Sequence, residues 1–240
     1  MKKIISNVNE ILEFSQKKDL LKLEKNLLTA TTQKINYIFE NRAPYKSPSV
    51  HKILLSQSTN SKLFVRGFRA DIFDNESVLL AFAQRVEEIS KLSKDKNEFN
   101  GEPVLDVVIK EKEINVRRNF EHSLFIKQAK ELSQKFQMKI MNVVIIEPSL
   151  LVSPPFEVSI SSSEIVINPT VENGNRVEVQ DLRSYSLFHD SFIRVRKDTD
   201  PRHDSEAFIN CGMKKEEMDK AIKTFNYLKN EGNVLDEYCI

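Results

Sequence analysis

The sequence predicts a mixed α/β fold: a mixed sheet with a parallel βαβαβ core and an antiparallel, hairpin-rich second half, flanked by helices and preceded by an N-terminal helical arm. Three observations carry this. The runs Val104 to Lys110 (VLDVVIK) and Lys139 to Ile146 are almost continuously apolar, as strands covered on both faces are. Segments with helical spacing precede and separate them. From Phe156 onward the apolar runs become short and alternating, the pattern of half-buried antiparallel strands.

In chain order, residues 5–41 read as helix. Ser6 or Asn7 caps a first segment, and Asp19 caps a second that runs through Leu20, Leu23, Leu27 and Leu28 to Ile35, Ile38 and Phe39. Leu21, Leu28 and Ile35 recur every seven residues. That spacing fits a helix hairpin or the helix of a partner, and equally packing on the chain's own domain. Pro44 and Pro48 make residues 41–49 a linker, so the expected units are a helical arm, 1–46, and an α/β domain, 47–240.

A strand over Lys62 to Arg69 is followed by a helix capped at Asp74-Asn75, whose Leu79, Phe82, Ala83, Val86 and Ile89 share a face. After the covered strand at 104–110, a helix over 119–136 buries Phe125, Ala129, Leu132 and Phe136 and leads to the second covered strand. Strand, helix, strand, helix, strand implies parallel pairing. Short strands follow at 156–160, 164–168 and 176–180, with Asn173-Gly174 as a hairpin turn between the last two, and at 192–196. An irregular stretch rich in Asp and Arg leads to a closing helix, Lys214 to Glu231, stopped by Gly232.

Composition bounds the function. Hydrophobic residues make up 40% and charged residues 30%, and the net charge is +1, which excludes a globally basic nucleic-acid coat and a globally acidic mimic. Charge is nonetheless uneven: residues 1–50 hold nine Lys/Arg against five Asp/Glu, whereas 139–181 hold two against six, which fits a basic arm and an acidic sheet edge and equally two solvated faces. Two cysteines without CxxC spacing point to a reducing cytoplasm, and no run of apolar residues is long enough for a signal core or a membrane span.

Catalytic motifs are tested one by one. A metal-dependent nuclease needs an acid on one strand and an acid-any-Lys triplet on the next. Asp106 supplies the first, but Lys110-Glu111-Lys112-Glu113 does not supply the second. The alternative for Asp106 is a structural carboxylate bonded to backbone amides or an arginine. His51, His122, His189 and His203 have no second ligand at helical spacing, so no metal is expected. GxxxxGK[ST], GxGxxG and GxSxG are all absent, and neither nucleotide nor any other cofactor is expected. The richest segment runs from Phe188 to His203. There Arg194, Arg196, Lys197 and Arg202 are candidates to hold a phosphate, with His189 and His203 as nucleophile or general acid and base; an edge strand with solvent-facing arginines is the plain alternative.

The order of elements over about residues 62–230, with Glu121-His122-Ser123-Leu124 opening a helix and His189 to Lys197 preceding the last one, resembles one half of a phospholipase-D-like domain. That family works through a His-any-Lys pair, which no histidine of this chain heads. The resemblance therefore implies a degenerate phosphodiesterase-type scaffold. Two functions are expected from the sequence. The first is an accessory or regulatory protein, not an enzyme, that binds a partner protein, a second copy of itself or nucleic acid through the face of Leu21, Leu28 and Ile35, in a setting such as a prokaryotic defence system and away from membranes. The alternative is a metal-independent phosphodiesterase or nuclease acting through His189.

Overall fold

The computed structural model describes residues 2–40, 45–57, 62–96, 101–109, 112–146, 156–160, 165–169, 184–188, 192–197, 206–211 and 214–240. Its centre is three parallel strands, β2 (Leu63–Arg66), β3 (Leu105–Ile109) and β4 (Met141–Ile145), joined by helical crossovers. Every residue of β2 and β3 is buried. Alternation along the strands sorts their side chains to two faces. Leu63, Val65, Leu105, Val107, Ile109, Met141, Val143 and Ile145 join the larger core, while Phe64, Val108 and Val144 join a smaller one.

Helices cover both faces, as such strands require. The larger core is closed by α1 (Lys2–Gln33), α2 (Lys46–Gln57), α4 (Glu76–Lys96) and α6 (Leu124–Phe136), with the short α3 (Ala70–Phe73) and α5 (Glu113–Glu121) between them. The smaller core is closed by α7 (Lys215–Asn230), which buries Met218, Ala221, Ile222, Phe225 and Leu228, the face its periodicity predicts.

Antiparallel strands extend the sheet. β7 (Ser184–Phe188), β8 (Phe192–Lys197), β9 (Glu206–Asn210) and β1 (Asn36–Glu40) follow one another outward from β2, and β10 (Asn233–Val234) lies beside β4, so the order is β1-β9-β8-β7-β2-β3-β4-β10. A separate antiparallel pair is formed by β5 (Phe156–Ile160) and β6 (Ile165–Pro169). The fold is thus the mixed α/β arrangement that the apolar runs predict. The strand expected at 176–180 and its Asn173-Gly174 turn lie outside the described residues.

Several elements differ from the sequence reading. The N-terminal helix is continuous from Lys2 to Gln33 and needs no cap at Asp19. It ends where Lys34 turns left-handed, at φ 54°, and residues 36–40 are not helix but β1, paired with β9. Ile38 and Phe39 suit either periodicity, and only a partner 170 residues downstream decides for the strand, in the register Tyr37↔Ile209. Pro48 belongs to no linker. It is the third residue of α2, in the first turn, where its missing N–H has no bond to lose.

The helix expected over 119–136 is two helices. Ser123 accepts from the Ile126 N–H, and Asp74 Oδ1 accepts from the Ser123 hydroxyl at 2.7 Å and the Phe125 N–H at 2.9 Å, so α6 has its own capped start. The stretch after β8 holds β9. Gly232 does stop α7, but not through a left-handed turn: a Cβ there would collide with the Val144 side chain and the Ile145 carbonyl as the chain closes on β4.

At the heart of the larger core, Phe125 is fully buried with its ring 4.7 Å from Phe82, 5.1 Å from Phe73 and 5.5 Å from Phe68, centroid to centroid. Phe125→Ala is expected to lower unfolding stability by about 3–5 kcal/mol, measured as a shift of the urea midpoint at unchanged slope. A shift within error would show that this aromatic cluster is not central to the core.

Candidate functional site

The helix α1 serves two surroundings at once. In its C-terminal half, Leu23, Leu27 and Ala30 are buried in the larger core against α2, and two ion pairs fasten the helices: Lys46 Nζ lies 3.0 Å from Asp19 Oδ2, and Lys52 Nζ 3.9 Å from Glu24 Oε1. The Tyr45 hydroxyl also donates to Asp19 Oδ2 at 3.0 Å. These contacts, the Lys46 hydrogen bond first, hold the Asp19 carboxyl below the usual carboxylate range.

On the outer side, the large apolar residues are exposed: Phe14 by 71%, Leu21 by 59% and Leu28 by 44%. Seven-residue spacing turns a helix by only about 20° short of two full turns, so the three form one stripe. Lys18 and Lys25 stand four residues beyond Phe14 and Leu21, beside the stripe, and Lys17 borders its other side. All three lysines are exposed, and among the described residues none joins an ion pair, because Asp19 and Glu24 are turned to the α2 lysines. All side chains from Leu12 to Lys18 are exposed. The result is an apolar stripe with a basic border. The sequence had singled out Leu21, Leu28 and Ile35 for this role; Ile35 is 48% exposed but lies beyond the end of the helix. Phe14, one heptad earlier, was missed although the same spacing reaches it.

A second polar constellation lies inside the domain, on the α7 side of the sheet. Asp106 is completely buried on β3. Its Oδ2 lies 2.8 Å from Lys62 Nζ and 3.2 Å from Lys229 Nζ on α7, and its Oδ1 accepts from Asn142 Nδ2 on β4 at 3.1 Å. Lys62 also pairs with Glu102 at 2.6 Å, and the Cys239 thiol donates to Asn142 Oδ1 at 3.0 Å. The partners of Asp106 are therefore two lysines and an amide, not the backbone amides or arginine expected. Their sequence separation, up to 123 residues, leaves no local motif. Two ammonium groups and an amide satisfy the carboxylate, as a buried charge requires, so the cluster ties α7 to the sheet.

The histidines and cysteines are accounted for differently. His51 is buried on α2, its Nδ1 2.9 Å from the Ser47 carbonyl and its ring edge-on to Phe73, which makes it a core residue. His122 ends α5; it does not open a helix. Burial pushes the Cys211 thiol up to about 12, so it stays protonated at neutral pH. Among the described residues, no group of three or more His, Cys, Asp or Glu is placed to hold a metal ion.

Arg194, Arg196 and Lys197 stand on β8, where Arg194 is in register with Ser186 and Ile209, and Arg196 with Ser184 and Ala207. His189, Arg202 and His203 lie outside the described residues. No known protein family, curated protein or solved structure matches the chain. Among the described residues, no helix is long and apolar enough to cross a membrane.

Two measurements test this description. Removing the Asp106 carboxylate leaves two ammonium groups facing the sheet interior. Asp106→Ala is thus expected to cost about 3 kcal/mol in urea unfolding, with Lys229→Met costing less because Lys62 and Asn142 remain; an unchanged Asp106→Ala midpoint would refute the tie. For Asp19 the sign follows from its depressed folded pKa. Its contribution is fully present above the unfolded value, near pH 4, and is lost as pH falls through the folded value. The stability difference between the natural protein and Asp19→Asn should therefore be constant above about pH 4 and shrink below it. A difference that grows on acidification contradicts the assignment.

Proposed function

We propose that the chain is a non-catalytic, accessory binding protein, and that α1 is its docking element for a partner protein. The stripe of Phe14, Leu21 and Leu28, exposed on a helix whose opposite face is anchored in the core, carries this reading. Each such side chain gains roughly 1.5–3 kcal/mol on full burial, and an amphipathic helix delivers that gain to a groove through residues at regular helical spacing.

The lysine border defines the partner. In an antiparallel pair of two copies, like flanks meet, so Lys18 and Lys25 of one helix would face Lys25 and Lys18 of the other. That repulsion disfavours self-association and favours an apolar groove rimmed by aspartate and glutamate. In this proposal the α/β domain is the scaffold that presents the helix. The order of its strands and helices is what supports a degenerate phosphodiesterase-type ancestry.

The test is site-specific photo-crosslinking of the full chain in the cell that makes it. A photoreactive phenylalanine analogue replaces Phe14 or, as a control, Leu80 on the exposed side of α4. Position 14, and not position 80, is expected to crosslink to one protein, on a peptide with Asp or Glu beside apolar residues. Leu21→Glu with Leu28→Glu, and separately Lys18→Glu with Lys25→Glu, should abolish the crosslink at unchanged melting temperature. Crosslinks to the same chain alone would replace the proposal by self-association, crosslinks to nucleic acid would overturn it in favour of nucleic-acid binding, and absence of any adduct would end it.

A further inference from the structure

The parallel core ends at β4, whose residues other than Asn142 are all buried. Among the described residues, the segment that pairs with the outer edge of β4 is 233–240. β10 lies antiparallel on it, Asn233 opposite Ile145 and Val234 opposite Val144, and the Leu235 N–H donates to the Val143 carbonyl at 2.9 Å. A single 3-10 turn at Asp236–Tyr238 intervenes, and the chain then returns to the same edge. There the Ile240 N–H donates to the Met141 carbonyl at 2.9 Å, and the Ile240 backbone oxygen accepts from the N–H groups of Ile140 at 2.6 Å and Met141 at 2.8 Å.

Three side chains seat this segment. Leu235 and Tyr238 are buried in the larger core and Ile240 packs against it, with the Tyr238 ring edge-on to Phe120 at 5.0 Å between centroids. Glu237 pairs with Arg117 of α5, and the Cys239 thiol donates to Asn142 Oδ1 at 3.0 Å, the same amide that holds Asp106. The mode of contact is that of a bound peptide: backbone bonds to a sheet edge supply attachment, and seated side chains supply selectivity. The segment is joined to α7 by Glu231 and Gly232 alone. That hinge is tight, since a Cβ on Gly232 would collide with Val144 and the Ile145 carbonyl. Short, tight hinges invite exchange of the segment they carry, because the edge that takes it in one copy takes the identical segment of another.

We infer that the outer edge of β4 is a docking groove for an extended segment, and that two copies of the chain exchange residues 233–240 through it, each groove seating Leu235, Tyr238 and Ile240 of the other. The thiol that orients Asn142 toward Asp106 then comes from the second copy. This surface shares no residue with the outer face of α1, and neither proposal depends on the other.

Disulfide trapping on the full chain tests this. A chain carrying Asn142→Cys with Cys239→Ser is mixed at high concentration with the natural chain, and diamide is added as the oxidant. Cys239 of the natural chain reaches position 142 only by seating its segment in the other copy's groove. A disulfide between 142 and 239, located by peptide mapping, is expected, and an excess of free peptide spanning residues 233–240 with Ser at 239 should suppress it. Because Asn142 also holds Asp106, the Arg117–Glu237 pair, 42% exposed on both sides, supplies a second readout that leaves the sheet untouched. Arg117→Glu alone and Glu237→Arg alone each set like charges across the groove, and a mixture of the two chains restores both pairs only by exchange. Native mass spectrometry of the mixture is expected to show a one-to-one dimer about tenfold more abundant than the dimer of either chain by itself. The inference is overturned if the mixture stays monomeric, or if no 142–239 disulfide forms, or if the disulfide survives the peptide as a random collision would.

Discussion

The burial of β2, β3 and β4 on both faces is the constraint from which the rest of the structure follows. A parallel strand with no solvent side must be covered above and below, and this chain divides the task unequally. Among the described residues, α1, α2, α4 and α6, with α3 and α5 between them, close one face, and α7 closes the other. Lys229 reaching Asp106 across 123 residues supplies a directional contact within an otherwise apolar seam. The buried carboxylate is tolerable because each of its oxygens has a donor, and it is useful because those donors come from β4, α7 and the residue leading into β2.

The same demand for cover explains the double nature of α1. Its C-terminal half is recruited to the larger core and locked to α2 by the Asp19 and Glu24 ion pairs. Those pairs draw the acids of this half to the inner side, so lysines border the outer stripe. The apolar stripe and its basic border are thus by-products of a single packing decision. This coupling is why the exposed outer face of α1 and the stability of the α1–α2 contact are chemically linked.

At the carboxyl ends of β2 and β3, around a cavity of about 240 Å3, the chain follows a general habit of α/β sheets: backbone turns bring together residues from separate elements. Phe68 and Arg69 come from the turn between β2 and α3, Ile109 from β3, and Val116, Asn119 and Phe120 from α5. None of these residues forms a motif, and nothing in the spacing of Arg69 and Asp71 distinguishes them from any surface pair.

The amino-acid order by itself determined the covered strands at 105–109 and 141–145, the inward faces of α4, α6 and α7, and the seven-residue repeat of Leu21 and Leu28, because each is a periodic burial pattern that local chain geometry converts directly into a face. Tertiary structure alone decided the strand at 36–40, the separate start of α6 and the environment of Asp106. Ile38 and Phe39 satisfy a helix and a strand equally, and pairing with β9 settles the choice. The cap from Asp74 ends the ambiguity at Ser123, and Lys62, Lys229 and Asn142 turn an isolated buried acid into a tie. In each case the deciding partner is remote in sequence, and a hydrogen bond or ion pair between distant residues leaves no periodic trace in the chain.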